Sequence, residues 1–409
     1  MARIGVFSLS SFTHVAEGLD LAAALRANHA VRVFTGSPAA AALIAGRGLE
    51  RESAFDALPE LAAPDTRDAF GLLSGYFLRH AELCLPRLLP ALERWGPDLL
   101  LVHLRDYAGV AAAEKLDVPF ATFGSHTSPV RVEPDDPPFG AGLGSDATAG
   151  TRRLMWRLQH DLDARLDRVH DERIRGPLGL PPAKGTSTMC SSRLVLLGLV
   201  PGLTPRRTPE PGHVRYVGPL FRGLDGDGGD AERRALARLA DAPRPRVFVS
   251  LGTTYRDRCL APVLDALRGF DGTLVVSGAV RAGPRLIAAE MFADVDAVHA
   301  RVDAVVTVGG GKTVMKALAH GRPMVCLPQQ GEQREIARSL AAHGAAECPC
   351  PRRFDPARFR RAVTEVAAND AYAAAARALG ETINQTHGLD GARAAVESLL
   401  PRPRAAISR

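Results

Sequence analysis

The sequence has few aromatic residues, few lysines and no long hydrophobic run, and each shortage argues against a class of protein. Aromatic residues make up 5% of the 409 residues. The sequence has no basic stretch interspersed with aromatic residues, the pattern that would indicate nucleic-acid binding. The formal net charge is +6, yet only four of the 51 basic residues are lysines, and the arginines are scattered as on a solvated surface. Since no run of about 18 apolar residues is present, we expect no transmembrane helix.

The six cysteines include no C-x-x-C pair, which argues against a zinc site. We interpret them as free thiols in a reducing compartment and expect a cytoplasmic protein without a bound metal. The first twelve residues become polar too soon for a secretory signal peptide.

Short apolar runs alternate with helical patterns along the chain. Residues 3–9 and 31–34 read as strands on either side of a helical stretch, which is the βαβ pattern of a parallel sheet. The same alternation recurs after residue 245. With roughly 100–200 residues per domain, we predict an α/β protein with two Rossmann-like, doubly wound parallel-sheet domains that face a cleft.

Two successive stretches rich in Pro and Arg, residues 201–211 and 213–221, lack periodicity and indicate the domain boundary. We predict an N-terminal acceptor-binding domain over residues 1–205, a C-terminal donor-binding domain over 206–385, and a C-terminal helix and tail over 386–409. That last helix could pack back on the first domain. Residues 70–94 read as a long helix that Pro86 and Pro90 are expected to interrupt.

A Gly-rich segment, VVTVGGGKT over residues 305–313, joins a predicted strand to a predicted helix. Glycines let the backbone approach a ligand closely, and the helix N-terminus presents N–H groups that suit a phosphate. A P-loop would need glycine where Val306 stands, so a P-loop NTPase is disfavoured. A turn that only packs tightly is the alternative to phosphate binding. The candidate ligand contacts are Gly309, Gly310, Gly311, Lys312 and Thr313.

Two further strand ends in the second half carry polar groups. Residues 250–254 (SLGTT) offer hydroxyls for phosphate, and residues 329–333 (QQGEQ) offer a carboxylate and amides for sugar hydroxyls. A capped turn and a helix N-terminal turn are the respective alternatives. The candidate binding residues here are Ser250, Gly252, Thr253, Thr254, Glu332 and Gln333.

One histidine follows the first strand at the start of the first predicted helix. His14 is placed there to act as a general base, although it could also be a surface histidine. The strand at residues 98–103 ends at the same sheet edge, near His103 and Asp106. Either residue could orient His14 through its other ring nitrogen.

These segments resemble GT-B-fold glycosyltransferases, specifically the natural-product (macrolide-type) branch related to plant and animal UDP-glycosyltransferases. The resemblance is carried by VRYVGPLF (214–221), RVFVSLGT (246–253), the stretch 292–333 and GARAA (391–395), in matching order and spacing. The first half resembles the family more loosely, in its strand–loop–His–helix opening and in residues 98–119.

The resemblance implies an inverting hexosyltransferase that moves a sugar from a dTDP- or UDP-sugar to a small natural-product acceptor, in antibiotic or other secondary-metabolite biosynthesis. His14 would be the catalytic base. The family's aspartate partner falls on His103, and Asp106 is the nearest carboxylate. Phe292 and Ala293 occupy the loop that lies near the nucleobase in the family. The resemblance implies no cofactor or metal beyond the nucleotide sugar.

The donor loop departs from the family at three positions. The usual phosphate-binding histidine is Val308, the small residue before Thr313 is Lys312, and the glutamate that contacts the ribose is Lys316. We hypothesise that Lys312 replaces the missing histidine by pairing with the diphosphate. Lys316, four residues further on, would face the same side of the helix.

Two other functions stay open at this point. One is a glycosyltransferase-like binding or auxiliary subunit without transfer activity, and the other is a related GT-B enzyme such as a sugar-nucleotide epimerase. An epimerase is expected to add acidic residues in the cleft, and no clear set is present. His14, residues 250–254 and the pair Glu332-Gln333 favour an active transferase. The acceptor, the sugar and whether the chain forms a homodimer are left open.

Overall fold

The computed structural model describes residues 1–8, 12–35, 40–52, 68–221, 229–252, 256–349 and 353–400. Two of the candidate binding residues, Thr253 and Thr254, lie outside the described residues. Within the described part, no helix has the length and apolarity needed to cross a membrane.

The first half of the chain forms a seven-stranded, wholly parallel sheet in the order β3-β2-β1-β4-β5-β6-β7. Its central strands are continuous apolar runs because helices cover both faces. The strands are β1 (Arg3–Phe7), β2 (Ala30–Phe34), β3 (Glu50–Glu52), β4 (Leu99–His103), β5 (Phe120–Gly124), β6 (Val195–Leu197) and β7 (Val214–Tyr216).

Helices flank this sheet and connect its strands. They are α1 (Phe12–Arg26), α2 (Ala41–Gly46), α3 (Ala69–Leu72), α4 (Arg79–Trp95), α5 (Tyr107–Lys115), α6 (Ala149–His170) and α7 (Gly176–Leu178). Wider π-helical turns, Leu73–Leu78 and Asp171–Arg175, join α3 to α4 and α6 to α7.

The expected break at Pro86 and Pro90 is wrong, because α4 runs through both prolines. Both residues are exposed and lie four positions apart, on the solvent side of the helix. Water can bond the carbonyl groups that proline leaves without a helical donor, so the helix continues. The irregularity of this long segment instead lies before it, in the π-helical turn.

The second half forms a six-stranded parallel sheet in the order β10-β9-β8-β11-β12-β13. The strands are β8 (Arg246–Ser250), β9 (Thr273–Ser277), β10 (Leu286–Ala289), β11 (Ala304–Thr307), β12 (Met324–Cys326) and β13 (Ala346–Glu347). The helices are α8 (Gly229–Ala240), α9 (Arg256–Ala266), α10 (Val295–Arg301), α11 (Gly311–Ala319), α12 (Gly331–Ala342), α13 (Pro356–Ala368), α14 (Asp370–Glu381) and α15 (Gly388–Glu397). Both sheets confirm the predicted architecture of two doubly wound domains.

The predicted boundary at residue 205 is too early. Strand β7 pairs with β6 as the last strand of the first sheet, so the N-terminal domain extends at least to Tyr216. A three-residue strand in a Pro-rich segment carries too little periodicity to be recognised from sequence. The chain also returns to the first domain at its end, where α15 packs on α1 and Glu397 bonds His29 at 3.2 Å.

Each sheet has a point where the strand order reverses, between β1 and β4 in the first domain and between β8 and β11 in the second. Ligands of doubly wound sheets bind at the carboxyl ends of the strands flanking this point. Three of the flanking strands end at Phe7, His103 and Thr307, and the fourth ends at Ser250. The residues that follow these ends form the cleft between the domains.

Candidate active site

His14 and His103 meet at the reversal point of the first sheet. His103 is the last residue of β4, and His14 lies in the first turn of α1, which follows β1. The two ring centroids are 4.7 Å apart and the ring planes are inclined by 53°. The structure thus brings together two of the three predicted catalytic residues.

The carboxylate beside these imidazoles is Glu17, which sequence reasoning missed. Glu17 Oε2 lies 3.1 Å from His103 Nε2, and the Ser125 N–H donates a hydrogen bond to Glu17 Oε1. The spacing from His14 was a usable signal, because residues three apart on a helix lie on one face. Its contact with His103 spans 86 positions, and no local pattern reveals that.

Asp106 is not the anion of this cluster. It is fully buried at the start of α5, and burial raises the pKa of its carboxyl to about 8, although the N–H groups of Gly109 and Ala108 lower it. A carboxyl with that pKa is mostly protonated at neutral pH, so the structure argues against Asp106 as the charged partner of His14.

His14 is neutral in this environment. Burial lowers the pKa of the His14 imidazole well below its usual value, and His103, Lys312 and His126 lower it further, against an opposing effect of Glu17. Burial also raises the pKa of Glu17, but Lys312 and the bond to His103 outweigh it, so this pKa falls well below the usual range. The cluster therefore holds an unprotonated imidazole beside a carboxylate, the arrangement of a general base.

The Gly-rich segment forms the turn from β11 into α11 in the second domain. Gly309 has a φ of +84°, which favours glycine, and Gly310 precedes the first helical residue without a side-chain cap. N–H groups of the first turn of α11 are thus directed at the crevice between β8 and β11. Ser250 ends β8 opposite Thr307 on β11, and Gly252 follows at the same edge.

Val308 does not face this crevice as a ligand contact. Its side chain is 4% exposed and belongs to the apolar core that covers one face of the second sheet. The position that the family's phosphate-binding histidine would take is therefore filled by a core residue.

The two lysines of α11 have different surroundings. Lys312 Nζ lies 3.7 Å from Glu17 Oε2, so it reaches across the cleft to the first domain. Lys316 Nζ lies 2.5 Å from Asp296 Oδ2, and His320 Nε2 lies 2.9 Å from the other oxygen of the same carboxylate. Lys312 is thus placed beside the candidate base, whereas Lys316 is engaged with α10.

Glu332 and Gln333 also have different roles. Glu332 Oε2 lies 3.2 Å from Nδ1 of His126, a first-domain residue that sequence reasoning missed. Burial raises the pKa of Glu332, but His126 and Arg105 together lower it below its usual value, so this carboxyl is ionised. The Gln333 side chain is buried, and its Oε1 accepts a hydrogen bond of 2.9 Å from the Gln329 N–H. Glu332 lies in the cleft, while Gln333 shapes the loop that presents it.

Phe292 and Ala293 lie just before α10, and their main contacts are with other groups of the protein. The Phe292 ring is 2% exposed and packs edge-on against Phe248, so it cannot stack on a nucleobase. The N–H of Ala293 donates to Glu232 at 2.9 Å. The loop turns the Phe292 ring into the core, so any contact of this loop with a nucleobase would have to use other groups of the loop, and the binding role of Phe292 and Ala293 stays a prediction.

The two domains touch around this site. A Cβ at Gly311 would lie 2.1 Å from the carbonyl oxygen of Ser125, and a Cβ at Gly331 would lie 1.7 Å from that of Gly140. Helices α11 and α12 thus begin directly against the backbone of the first domain. Nearby, Glu335 Oε2 accepts a hydrogen bond of 2.6 Å from Thr127 and lies 3.3 Å from the buried Arg131 guanidinium.

Within the described residues, no three His, Cys, Asp or Glu side chains are grouped so that they could hold a metal ion. The charges that converge on the cleft are instead the lysine, glutamate and histidine side chains described above.

The chain has counterparts among known proteins. Residues 294–387 match the family model described as UDP-glucoronosyl and UDP-glucosyl transferase. The 4'-demethylrebeccamycin synthase of Lentzea aerocolonigenes is 31% identical over 334 residues, which span 78% of this chain and 77% of that protein. The chain belongs to this glycosyltransferase family. It is an enzyme of the glycosyltransferase class.

Solved structures agree on the fold. The glycosyltransferase of kitacinnamycin has a TM-score of 0.71 at 23% identity, covering 98% of this chain and 99% of that one. The spinosyn rhamnosyltransferase SpnG has a TM-score of 0.69 at 21% identity, covering 97% and 100%. These similarities establish that this glycosyltransferase has the GT-B architecture of two facing parallel-sheet domains.

Proposed function

We propose that this glycosyltransferase transfers a hexosyl group from a dTDP- or UDP-sugar to a hydroxyl of a small natural product, with inversion at the anomeric carbon. The observation that carries the proposal is the 3.7 Å approach of Lys312, from the α11 N-terminus, to the cluster that contains His14. It sets a candidate phosphate site beside a candidate base. The name of the rebeccamycin-type relative supports a natural-product acceptor.

His14 is the base in this mechanism. As a neutral imidazole it takes the proton of the acceptor hydroxyl, and the oxygen attacks the anomeric carbon on the face opposite the diphosphate. His103 lies against His14, and Glu17 bonds His103, so the imidazole pair is held in place by a buried carboxylate. Attack opposite the leaving group produces inversion.

The leaving diphosphate is stabilised by the second domain. First-turn N–H groups of α11 bond its oxygens, and Lys312 supplies a positive charge as negative charge develops in the transition state. Ser250 and Gly252 border the same crevice, and the ionised Glu332 accepts hydrogen bonds from sugar hydroxyls. In this proposal the protein uses no metal or other cofactor, because these groups supply the charge compensation.

The setting fits a reducing compartment, for which we propose the cytoplasm. The five cysteines in the described part of the chain, Cys84, Cys190, Cys259, Cys326 and Cys348, form no disulfide bond with one another.

The first experiment is a thermal-shift panel with UDP, dTDP, GDP and ADP, each with and without Mg²⁺. Binding to the native state raises the melting temperature by mass action, so UDP or dTDP is expected to give the largest shift without Mg²⁺. His14→Ala should keep that shift but lower the transfer rate by about 10²–10⁴-fold. Full activity in His14→Ala would refute the base, and no shift with any nucleotide would favour a binding or auxiliary subunit.

A further inference from the structure

Glu17 is in contact with both halves of the proposed reaction site. Its Oε2 lies 3.1 Å from His103 Nε2 and 3.7 Å from Lys312 Nζ, and its Oε1 accepts the Ser125 N–H. The side chain is 2% exposed. One buried carboxylate therefore joins the imidazole pair of the first domain to the donor loop of the second.

A buried carboxylate needs compensation, because removing its charge from water is unfavourable unless the charge is paired and hydrogen-bonded. The Ser125 N–H and His103 supply hydrogen bonds from the first domain, and these fix the position of the carboxylate. The contact between Glu17 and Lys312 is looser, since 3.7 Å is beyond a normal hydrogen bond and the lysine side chain is 27% exposed. The cross-domain contact is thus the weaker and more easily exchanged of the three.

We propose that Glu17 is a positioning residue that holds His103 against His14 and also competes with the donor diphosphate for Lys312. This inference rests on the function proposed above. Lys312 cannot make close contacts with the Glu17 carboxylate and with a diphosphate equally well, so nucleotide binding draws it away from Glu17. The carboxylate then acts on the imidazoles alone, which strengthens the base when the donor is in place.

The charges around the imidazoles support this coupling. Lys312 lowers the pKa of both His14 and His103, whereas Glu17 raises both. His126 also lowers both pKa values, and it faces Glu332 across the cleft. Drawing Lys312 towards a diphosphate removes a nearby positive charge from the pair and leaves the carboxylate in contact with His103.

The test is Glu17→Gln, which keeps the shape of the side chain and removes its charge. Isothermal titration with dTDP and UDP should show about three- to fivefold tighter binding, the range expected for releasing a partly exposed ion pair. The transfer rate should fall by about tenfold or more, because His103 loses its charged partner. A merely structural role would weaken binding and rate together, so opposite changes distinguish the proposal.

Two variants complete the design. In a Lys312→Met background, Glu17→Gln should no longer tighten binding, because the competing ammonium is gone. Asp20→Asn is the matched control, since it removes a carboxylate charge from the same helix at a residue that pairs with Arg47 at 2.9 Å. The control should leave nucleotide affinity and transfer rate unchanged.

Three outcomes would overturn the inference. They are unchanged or weaker nucleotide binding in Glu17→Gln, tightening that persists in the Lys312→Met background, and equal tightening in Asp20→Asn. If Glu17→Gln does not fold, Glu17→Asp keeps the charge and must then bind dTDP and UDP no more tightly than the wild type. Failure of the proposed function is distinguishable, because the wild type would then bind neither nucleotide or His14→Ala would stay fully active.

Discussion

The start of α11 gives a sharp test of how closely the domains fit. An ideal Cβ at Gly311 would lie 2.1 Å from the carbonyl oxygen of Ser125, whereas a Cβ at Gly310 meets no atom within 4 Å. Real Cβ atoms essentially never come within 3.0 Å of a heavy atom, and a backbone carbonyl cannot turn away as a flexible side chain does. Gly311→Ala therefore has to separate α11 from the first domain by roughly 1 Å.

This displacement has a cost and a local consequence. Inserting a methyl group into a tightly packed contact costs about 1–3 kcal/mol. For a domain of this size, a loss of about 2 kcal/mol lowers the melting temperature by about 4–8 °C. The neighbouring contact of Lys312 with Glu17, now 3.7 Å, would open beyond the distance of an ion pair.

The assay compares Gly311→Ala with Gly310→Ala by thermal unfolding and small-angle X-ray scattering. Gly311→Ala should melt earlier and show a larger radius of gyration, because the domains are forced apart. Gly310 has a φ of −66°, which alanine adopts readily, so its variant should lose only the N-cap preference of glycine over alanine, about 0.5–1 kcal/mol, and should keep the radius of gyration of the wild type. If both variants melt together and scatter alike, the inferred contact between α11 and Ser125 is wrong.

Three further predictions concern buried charge. Asp106 has a folded-state pKa of about 8 against an ordinary 3.8, so the native state holds the extra proton and wild-type stability falls as pH rises through that window. Asp106→Asn should flatten this slope in urea unfolding at pH 5 and 8, stabilise the protein at pH 8, and keep transfer activity. Lys316→Met should leave dTDP and UDP affinity within about twofold, because the ammonium is engaged with α10, whereas Lys312→Met should weaken it by about tenfold in the same titration. Glu335→Ala leaves Arg131 buried without its carboxylate and should lower the free energy of unfolding by about 3–5 kcal/mol in denaturant unfolding. The double variant Arg131→Met, Glu335→Leu should recover most of this stability, because it removes both buried charges.

Local patterns predicted much of the fold. The continuous apolar run of β4 and the Gly-rich turn before α11 could be predicted, because local sequence determines both features. Strand β7 was missed because three residues carry too little pattern. The prolines of α4 led to a wrong prediction of a helix break. Proline interrupts a helix where the freed carbonyl groups find no other partner, but these prolines lie on the solvent side, where water can bond the carbonyls.

The candidate site was harder to predict, because its partners come from distant parts of the chain. His14 and Lys312 were recognisable at an element start and in a Gly-rich turn. Glu17 and His126 could not be recognised in this way, because their roles depend on contacts that are distant in sequence. Glu17 contacts His103, and His126 contacts Glu332 of the other domain. For Phe292, the sequence indicates the loop, but it does not reveal that the aromatic ring packs in the core.

Two charged pairs across the cleft affect how the two domains close on each other. Lys312 of the second domain faces Glu17 of the first, and Glu332 of the second faces His126 of the first. Burial lowers the pKa of the His126 imidazole but Glu332 and Glu17 raise it, so in both pairs a basic group faces a carboxylate of the opposite domain. Because a buried charge without its partner is costly, these two pairs favour the closed arrangement. A donor that takes Lys312 from Glu17 must supply replacement charge, which a nucleoside diphosphate does and a neutral sugar does not.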